Sequence, residues 1–398
     1  MTPKLFVIAT LCILALAISD SRVKNRPVSE IPFEVAFRGV AFIPAKVNGG
    51  PPMQFLLDTG GAGTHINREH AKQLGLEMAR GVASASGNAQ LEVGVIRSAT
   101  TQVGDVQYTG QLIASPLAHL EPIFGRKLDG ILGSEWMKNY VVEMDYIAHK
   151  MRLYDPATFS YSGKGTTLPL TLFNGIPFIE LEVSLPNKKL LRGSFLVDTA
   201  GGLMAVHVYN QVAKREGLLD GLTTLPETGV GIGGATQRVA ARGTSLSIGP
   251  HRLPRPTVKF TEDPSGLRAN PESVGLVGME VFRKFKGTFD YSRKVVHLEP
   301  NKFLNAPFVY DASGLRLRAA APQFSPPSVS GVRDASPAKD AGILPGDIIT
   351  KLNGRDTNGL SLEIIRETLH TPDRSHTLTL LRDGKTIEVV LKTREMLP

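Results

Sequence analysis

Apolar and polar residues alternate with a period of two through much of the chain, a pattern that predicts short β-strands and few long helices. One alternating run spans residues 39–47 and a similar run spans residues 175–183, with glycine, phenylalanine, isoleucine and valine in the same register. Turn-forming residues follow each run, at 48–52 and at 186–187. Each run is therefore predicted to be a strand that enters a hairpin.

Both predicted hairpins return as an apolar strand that ends in nearly the same polar turn. The first strand reads FLLDTGG at residues 55–61, and the second reads FLVDTAGG at residues 195–202. A short helix is predicted after each turn and is closed by Gly75 or by Gly217, because glycine favours the left-handed conformation of a helix end. The two halves therefore carry the same order of elements.

The likeness extends to the far end of each half. DGILG at residues 129–133 corresponds to VGLVG at residues 274–278, and an Asp-Tyr pair follows each final glycine at the same distance. The repeat is too long for a solenoid. Two tandem copies of one β-rich unit instead predict a pseudo-two-fold pair of lobes, the covalent counterpart of a symmetric dimer.

The pattern changes after the second copy, and residues 313–398 predict a third unit that contains both helices and strands. AGI at 341–343 and PGD at 345–347 predict a short helix, a tight turn and a buried strand. A longer helix is predicted after a capping serine, Ser361. Its apolar residues lie on one face: Leu362, Ile365 and Leu369.

Composition and charge limit the function classes. The 398 residues, of which 42% are hydrophobic and 21% charged, fit two or three packed domains. The net charge of +8 is spread without a long basic run, and aromatic residues make up 7% of the chain. A nucleic-acid partner is therefore not predicted. No spacing typical of a metal site or a cofactor site is found, so neither a metal nor a cofactor is predicted.

Residues 1–19 are typical of a secretory signal peptide, with a basic start and an apolar run shorter than a membrane-spanning helix needs. We therefore expect a secreted or periplasmic protein with no integral membrane span after cleavage. An uncleaved anchor is the alternative, and residues 20–32 are a candidate propeptide. The single cysteine, Cys12, lies in the apolar run, so the mature chain can form no disulfide and no cysteine-ligated metal site.

At the two polar turns the sequence resembles the aspartic proteases, specifically the retropepsin-like fold in which each lobe supplies one Asp-Thr/Ser-Gly motif. The resemblance implies a mostly β protein with two tandem β-barrel lobes, at residues 33–160 and 161–302, in a pseudo-two-fold arrangement. In that family the Asp loop packs beneath an element of two apolar residues and a glycine. The corresponding residues here are Ile131, Leu132 and Gly133 in the first lobe and Leu276, Val277 and Gly278 in the second.

The resemblance assigns catalysis to Asp58 and Asp198. Two carboxylates around one water cannot both ionise at low cost, so one acts as base toward the water and the other as acid toward the scissile carbonyl. The sequence leaves open which residue takes which role, because the titration belongs to the pair. The family also implies that Thr59 and Thr199 bond across the pseudo-symmetry axis and that Gly60 lets the backbone approach the dyad.

Two features depart from the family pattern. Ala200 replaces the usual glycine of the second motif, so this loop must accept a methyl group. Gly61 and Gly201 stand where pepsin-like enzymes usually place a hydroxyl residue that bonds the carboxylate. Without that bond the dyad is expected to titrate higher, which predicts activity at mildly acidic to neutral pH.

Two glycine-containing stretches are candidates for flaps that close over a substrate. Small residues at such a tip leave room to bind a peptide backbone and exclude water. The alternative is that both stretches are ordinary hairpin turns. The candidate tip residues are Ser86 and Gly87 in the first lobe and Gly231, Ile232 and Gly233 in the second.

Residues 313–398 resemble a bacterial-type PDZ domain in the order of the motifs SPA, AGI, PGDII and LNG. Domains of this family add an extended peptide to an open sheet edge and capture its C-terminal carboxylate with backbone N–H groups. The resemblance places the capturing loop at Gly314, Leu315, Arg316 and Leu317, where Arg316 replaces a usual glycine. A C-terminal peptide is the expected ligand, and the alternative is a domain that packs on the protease without one.

Together these features predict an aspartic-type endopeptidase, a hydrolase that acts on a peptide or protein substrate without a cofactor. Two alternatives stay open. A catalytically inactive peptide-binding protein would keep the double lobe, and Ala200 is the observation that favours it. A scaffold centred on the PDZ domain would tolerate Asp58→Ala but would lose its function on deletion of residues 313–398.

Overall fold

The computed structural model describes residues 25–84, 90–261 and 270–397. Among these residues, the first lobe has three short helices, α1 (Arg68–Gln73), α2 (Glu121–Phe124) and α3 (Ser134–Met137), and a 3₁₀ turn at Ala118–Leu120. Its strands are β1 (Ser29–Pro32), β2 (Glu34–Ala36), β3 (Val40–Val47), β4 (Met53–Asp58), β5 (His65–Asn67), β6 (Ala79–Ser84), β7 (Gln90–Val103), β8 (Val106–Ser115), β9 (Gly130–Gly133), β10 (Val141–Asp145) and β11 (Lys150–Tyr154).

The second lobe has the helices α4 (Asn210–Arg215) and α5 (Met279–Phe282). Its strands are β12 (Thr166–Pro169), β13 (Thr171–Phe173), β14 (Ile176–Ser184), β15 (Leu190–Val197), β16 (Val206–Tyr209), β17 (Leu225–Gly231), β18 (Gly234–Arg242), β19 (Ser245–Ile248), β20 (His251–Pro254), β21 (Thr257–Thr261), β22 (Gly275–Val277), β23 (Phe285–Asp290) and β24 (Val295–Pro300).

The C-terminal unit has the helices α6 (Pro337–Asp340) and α7 (Leu362–His370). The hydroxyl of Ser361 accepts the Ile364 N–H at 3.3 Å and so caps α7 as the sequence predicts. Strand β25 lies at one edge of the sheet and pairs with β26. The strands are β25 (Leu315–Arg318), β26 (Ser328–Val332), β27 (Ile348–Leu352), β28 (Arg355–Asp356), β29 (Ser375–Arg382) and β30 (Lys385–Lys392).

The two lobes share one pattern of strand pairing. In the first lobe β4 pairs in parallel with β9, β5 pairs in parallel with β8, and β5 runs antiparallel to β9. In the second lobe β15 and β22, β16 and β21, and β16 and β22 repeat these three pairings. The sequence repeat therefore appears as a repeated topology, because similar apolar alternation specifies the same register.

A separate six-stranded sheet joins the lobes in the order β1, β11, β10, β23, β24 and β12. At its centre β10 of the first lobe pairs antiparallel with β23 of the second, with Val142 opposite Phe289. An antiparallel pair of equivalent strands is what a pseudo-two-fold axis requires. The sheet begins at Ser29, ahead of the predicted start of the first lobe, and so includes the end of the candidate propeptide segment.

One apolar core runs through both lobes, and the C-terminal unit has a core of its own. The first core contains large, fully buried aromatic side chains, among them Trp136, Tyr209, Phe55 and Phe195. The second core is built from the inner face of α7, which includes Ile365, and from the strands that α7 covers. The mostly β fold with a C-terminal α+β unit, predicted from the alternating pattern, is confirmed.

The predicted signal peptide at residues 1–19 lies outside the described residues. Within the part of the chain that the structure describes, no helix is both long enough and apolar enough to cross a membrane. The longest of its helices, α7, has one buried face and one exposed face, as is usual for a helix that covers a sheet.

Candidate active site

The two motif aspartates occupy equivalent places at the ends of β4 and β15. Asp58 is the last residue of β4 and lies opposite Gly133 in the parallel pair with β9. Asp198 follows β15 directly, and its backbone N–H donates to the Val277 carbonyl of β22 at 2.9 Å. Each aspartate loop therefore lies against the apolar-Gly element that the sequence pairs with it.

Both elements must end in glycine because the aspartate loops lie directly on them. A β-carbon on Gly133 would overlap the carbonyl of Gly63, and one on Gly278 would lie 2.5 Å from the carbonyl oxygen of Gly201. The contacted atoms belong to the backbone and cannot rotate away, so only glycine allows this approach. The first turns of α3 and α5 each donate an N–H to the adjacent loop, which fixes it further.

Four hydrogen bonds made by Thr59 and Thr199 join the two loops. The N–H of each threonine donates to the hydroxyl of the other, at 2.9 Å from Thr59 and at 3.1 Å from Thr199. Each hydroxyl donates in turn across the axis, from Thr59 to the Val197 carbonyl and from Thr199 to the Leu57 carbonyl. Both threonines are buried. Because unpaired buried donors are costly, this network fixes the separation of the loops.

The carboxyl groups of Asp58 and Asp198 converge on one region. A β-carbon placed on Gly60 would lie 3.3 Å from Asp58 Oδ1 and 3.5 Å from Asp198 Cγ. Asp58 Oδ1 accepts the N–H groups of Gly60 at 2.8 Å and Gly61 at 3.1 Å. Asp198 Oδ1 accepts the Ala200 N–H at 2.9 Å. The backbone therefore holds one oxygen of each carboxyl group in place.

Asp58 titrates above the range of an ordinary aspartate. Enclosure between the lobes raises its pKa from 3.8 to about 6, although the N–H groups of Gly60 and Gly61 act in the opposite direction. Burial of a carboxylate favours the neutral form, and a neighbouring carboxyl group is the natural partner for the retained proton. The geometry and the raised pKa together are those expected of two carboxyl groups that share one proton.

The methyl group of Ala200 lies in an apolar setting. It packs with Phe37, Phe124 and Ile232 on the apolar cluster of the first lobe. At the equivalent position in the other loop, a β-carbon on Gly60 would lie 3.0 Å from Leu196 Cδ2 and 3.3 Å from Asp58 Oδ1. The two motifs therefore differ at a position where the second loop has an apolar surface to receive the extra carbon.

A cavity of about 1080 Å³ is lined by both aspartates and by the hairpin of β17 and β18. The hairpin turns at Ile232 and Gly233, between the paired residues Gly231 and Gly234. Ile232 packs against the first lobe, and the Gly231 carbonyl oxygen lies 3.3 Å from His119 Nε2. The second candidate flap tip therefore reaches from one lobe to the other beside the aspartates.

The first candidate flap tip, Ser86 and Gly87, lies outside the described residues. The strands that lead to it, β6 and β7, form an antiparallel hairpin. Ala83 and Ser84 at the end of β6 and Leu91 near the start of β7 line the cavity. This hairpin is therefore the counterpart of β17 and β18 in the first lobe.

A buried ionic cluster in the cavity wall was not predicted from the sequence. Glu227 pairs with Arg238 at 2.7 Å and with Lys259 at 3.0 Å, and the Tyr310 hydroxyl donates to it at 3.0 Å. Burial acts to raise the pKa of Glu227, but Lys259 and Arg238 outweigh it and lower the pKa to about 2. Period-two alternation gives no signal for such a cluster, because a charged residue in a strand normally indicates an outward position.

His65 and His207 lie on the equivalent strands β5 and β16, and both line the cavity. Burial lowers the pKa of His65 to about 4, and its Nδ1 lies 2.8 Å from the Ser115 hydroxyl. Burial, with the nearby charges of Arg238 and Lys259, lowers the pKa of His207 well below 6.5. Both rings are therefore neutral at neutral pH and form polar but uncharged parts of the wall.

The loop predicted to capture a C-terminal carboxylate has internal partners. The carboxylate of Asp311 accepts the Gly314 N–H at 3.0 Å, and the Ser313 hydroxyl accepts the Leu315 N–H at 3.1 Å. The C-terminal carboxylate of a peptide would therefore meet the Asp311 carboxylate, which already accepts the Gly314 N–H. All four predicted loop residues line the same cavity as the two aspartates: Gly314, Leu315, Arg316 and Leu317.

The repeated lobes form a bilobal structure in which each lobe supplies one aspartate loop. Residues 43–136 match the family model described as aspartyl protease, and residues 314–393 match the model of the PDZ domain. The chain therefore carries a retropepsin-like aspartyl protease domain followed by a PDZ domain, and the resemblance inferred from the sequence is confirmed. The match covers most of the first lobe, and the second lobe repeats the same strand pairings.

Proposed function

We propose that this protein is an aspartic endopeptidase in which Asp58 and Asp198 activate a water molecule. The observation that carries the proposal is the reciprocal bonding of Thr59 and Thr199, which holds the two aspartate loops across the pseudo-two-fold axis. The aspartyl protease match to residues 43–136 supports the same reaction class. The domain matches alone support a protease-like protein with a peptide-binding module, and the dyad is the additional step proposed here.

The dyad chemistry requires one proton on the pair. The ionised carboxylate takes a proton from water while the water oxygen attacks the scissile carbonyl carbon, and the protonated carboxyl group donates to the carbonyl oxygen. The intermediate, which carries two hydroxyl groups on one carbon, then breaks at its C–N bond. The leaving amine takes the proton that came from water, and one hydroxyl group returns a proton to the other carboxylate as the C=O bond re-forms, so the pair regains its single proton. The raised pKa of Asp58 reports the retained proton, which belongs to the pair rather than to either residue.

The cavity fits an extended peptide rather than a small molecule. Its volume of about 1080 Å³ lies just above the range usual for small-molecule sites, and small residues of both aspartate loops line it, among them Gly61, Ala62 and Gly201. The hairpin of β17 and β18 would close over the bound chain and exclude water. We therefore propose a peptide or protein substrate.

The pH dependence of cleavage follows from the raised pKa of Asp58. Above about pH 6 the pair loses the proton that the reaction needs, so kcat/KM should fall as the pH rises through that value. We expect a maximum at mildly acidic pH, measured as initial rates between pH 3 and 8 in buffers of constant ionic strength. A rate that keeps rising above pH 7, or a maximum below about pH 3, would contradict the assignment.

An unbiased peptide library tests the proposed function most directly. The mature chain is incubated with the library and new termini are identified by mass spectrometry. Cleavage between residues of an extended peptide, suppressed by a peptide that carries a hydroxyl-bearing tetrahedral carbon in place of the scissile carbonyl, is the expected result. No new termini at any pH between 3 and 8 would reject an endopeptidase.

A catalytically inactive peptide-binding protein is the second candidate. Ala200 is the observation that favours it, because the second motif departs from the family pattern at that position. This candidate predicts that the same library contains peptides that bind in the cavity and are recovered intact. The apolar setting of the Ala200 methyl group favours the enzyme, since the substitution leaves the hydrogen bond from Ala200 to Asp198 in place.

We also propose that the protein acts outside the cytoplasm, because residues 1–19 are typical of a signal peptide. Its PDZ domain belongs to a class that binds peptides. Amino-terminal sequencing of the secreted or periplasmic form tests the location, and a mature chain that keeps residues 1–19 would contradict it.

A further inference from the structure

The outward edge of β25 is the strand edge at which a PDZ domain adds a peptide, and two backbone groups at and just beyond its end already have partners. The Leu317 carbonyl accepts the Arg366 guanidinium at 2.8 Å. The Ala319 N–H, just beyond β25, donates to the Pro122 carbonyl of the first lobe at 2.9 Å. A peptide strand that paired with β25 would have to displace both groups.

The helix that forms the other side of this groove, α7, also faces the first lobe. The Arg38 N–H donates to Glu363 Oε1 at 2.7 Å, and the Arg366 guanidinium lies 5.2 Å from the centre of the Phe37 ring. A β-carbon on Gly125 would lie 2.6 Å from Leu362 Cβ, so the end of α2 lies directly on the first turn of α7. The first lobe therefore contacts one end of the groove, at Ala319 and the first turns of α7, whereas β25 itself lines the active-site cavity.

The part of the first lobe that α7 holds is an unusual turn. Phe37 and Arg38 lie between β2 and β3 with φ values of 49° and 58°. This is the left-handed region of the backbone, which residues other than glycine rarely adopt. Such a conformation persists where surrounding contacts hold it. Besides its bond to Glu363, Arg38 pairs through Nε with buried Glu280 of α5 at 2.6 Å. Arg38 of the first lobe thus contacts both the second lobe and the PDZ domain.

The same turn reaches the second aspartate loop. A β-carbon on Gly202, four residues after Asp198, would overlap the Phe37 carbonyl oxygen, so the two backbones are in direct contact. The Phe37 ring lies 5.9 Å from the Phe124 ring, and both side chains line the active-site cavity. The groove, the turn and the aspartate loop therefore form one continuous path of contacts.

We propose that the end of the PDZ groove formed by Ala319 and the first turns of α7 is a docking site for the first lobe of its own chain, and that this docking positions the Phe37–Arg38 turn against the Asp198 loop. The positioning of the Asp198 loop rests on the proposed peptidase function, because that function makes Asp198 a catalytic residue. Glu363 and Arg366 are positioning residues that act through the turn. A peptide that adds to β25 competes with the first lobe and releases one wall of the cavity.

Hydrogen exchange tests the docking without any need for catalysis. The full chain carrying Asp58→Asn is compared with the same chain carrying Glu363→Ala or Arg366→Ala, by mass spectrometry of peptides that cover residues 36–39, 119–126 and 198–203. We expect protection at all three segments to fall about tenfold or more in both variants. Glu363→Gln keeps an acceptor for the Arg38 N–H and should restore protection, and Glu388→Ala, on the exposed face of β30, should change nothing.

The outcomes separate the two parts of the inference. Unchanged protection at 36–39 and 119–126 in both alanine variants would overturn the docking. Loss there with unchanged protection at 198–203 would overturn the positioning of the Asp198 loop. The peptide library tests the proposed function separately. If the wild-type protein cleaves no peptide, the proposed function fails, but the exchange experiment still tests the docking because it does not depend on cleavage. Retained protection in the core strands β15 and β29 shows that each variant is folded.

Discussion

Replacing either dyad aspartate by asparagine, Asp58→Asn or Asp198→Asn, is expected to lower kcat/KM for peptide cleavage by about 10³-fold or more. Asparagine keeps the size of the side chain and its acceptor for the loop N–H groups, but it can neither take a proton from water nor share one with its partner. The two residues act as a unit, so the double variant should be no slower than the slower single variant. Initial rates on one library-derived peptide measure the effect.

Asp220→Asn is the matched control, because Asp220 is exposed and lies outside the residues that line the cavity. It should cleave at the wild-type rate. A thermal scan shows whether Asp58→Asn is folded. The direction in which its thermal midpoint shifts is also predicted. A raised pKa means that the folded state loses stability as the pH rises from 3.8 to about 6, so removing the charge should raise the midpoint at pH 7 relative to wild type. Activity retained in either single variant would refute the dyad.

The sequence predicted the aspartate loops because their requirements are local and repeated. Gly133 and Gly278 are needed where a loop lies on a strand, and the same spacing occurs in both halves. A single Asp-Thr-Gly would have left an ordinary turn as an equal explanation. The second copy removed that ambiguity, since a shared architecture requires both the aspartate and its apolar-Gly partner twice.

The contacts of the PDZ domain with the lobes could not be predicted in the same way. Arg38 and Glu363 are separated by 325 positions, and neither belongs to a motif or a periodic pattern. The sequence comparison instead places a ligand-capturing loop at Gly314, where the structure shows a bond to Asp311. Family resemblance fixes the fold of a module, whereas its partners depend on surfaces that belong to this chain alone.

One local signal of the docking was present. Phe37-Arg38-Gly39 joins β2 to β3, and hairpin positions that need a positive φ normally carry asparagine, aspartate or glycine. A bulky pair in that position indicates a turn whose conformation is imposed by its surroundings. The buried cluster around Glu227 gave no comparable signal, because its members are distributed over β17, β18, β21 and the segment before the PDZ domain.

Thr199→Val is expected to lower the free energy of unfolding of the two-lobed core by about 2–5 kcal/mol, because it leaves two buried groups unpaired. Those groups are the Thr59 N–H and the Leu57 carbonyl, which bond to the Thr199 hydroxyl. Thr59→Val should cost a similar amount by symmetry, since it orphans the Thr199 N–H and the Val197 carbonyl. Urea denaturation measured on the full chain gives both values.

Thr199→Ser keeps the hydroxyl and should lose less than about 1 kcal/mol, which separates the hydrogen bonds from the packing of the methyl group. Thr386→Val, on the exposed end of β30, controls for the general effect of the substitution and should lie within about 0.5 kcal/mol of wild type. Because the threonines set the separation of Asp58 and Asp198, Thr199→Val should also lower kcat in folded protein at low temperature. Equal stability of Thr199→Val and Thr199→Ser would show that packing, not the hydrogen bonds, holds the two loops together. The hydrogen bonds would then not explain why the carboxyl groups of Asp58 and Asp198 lie close to each other.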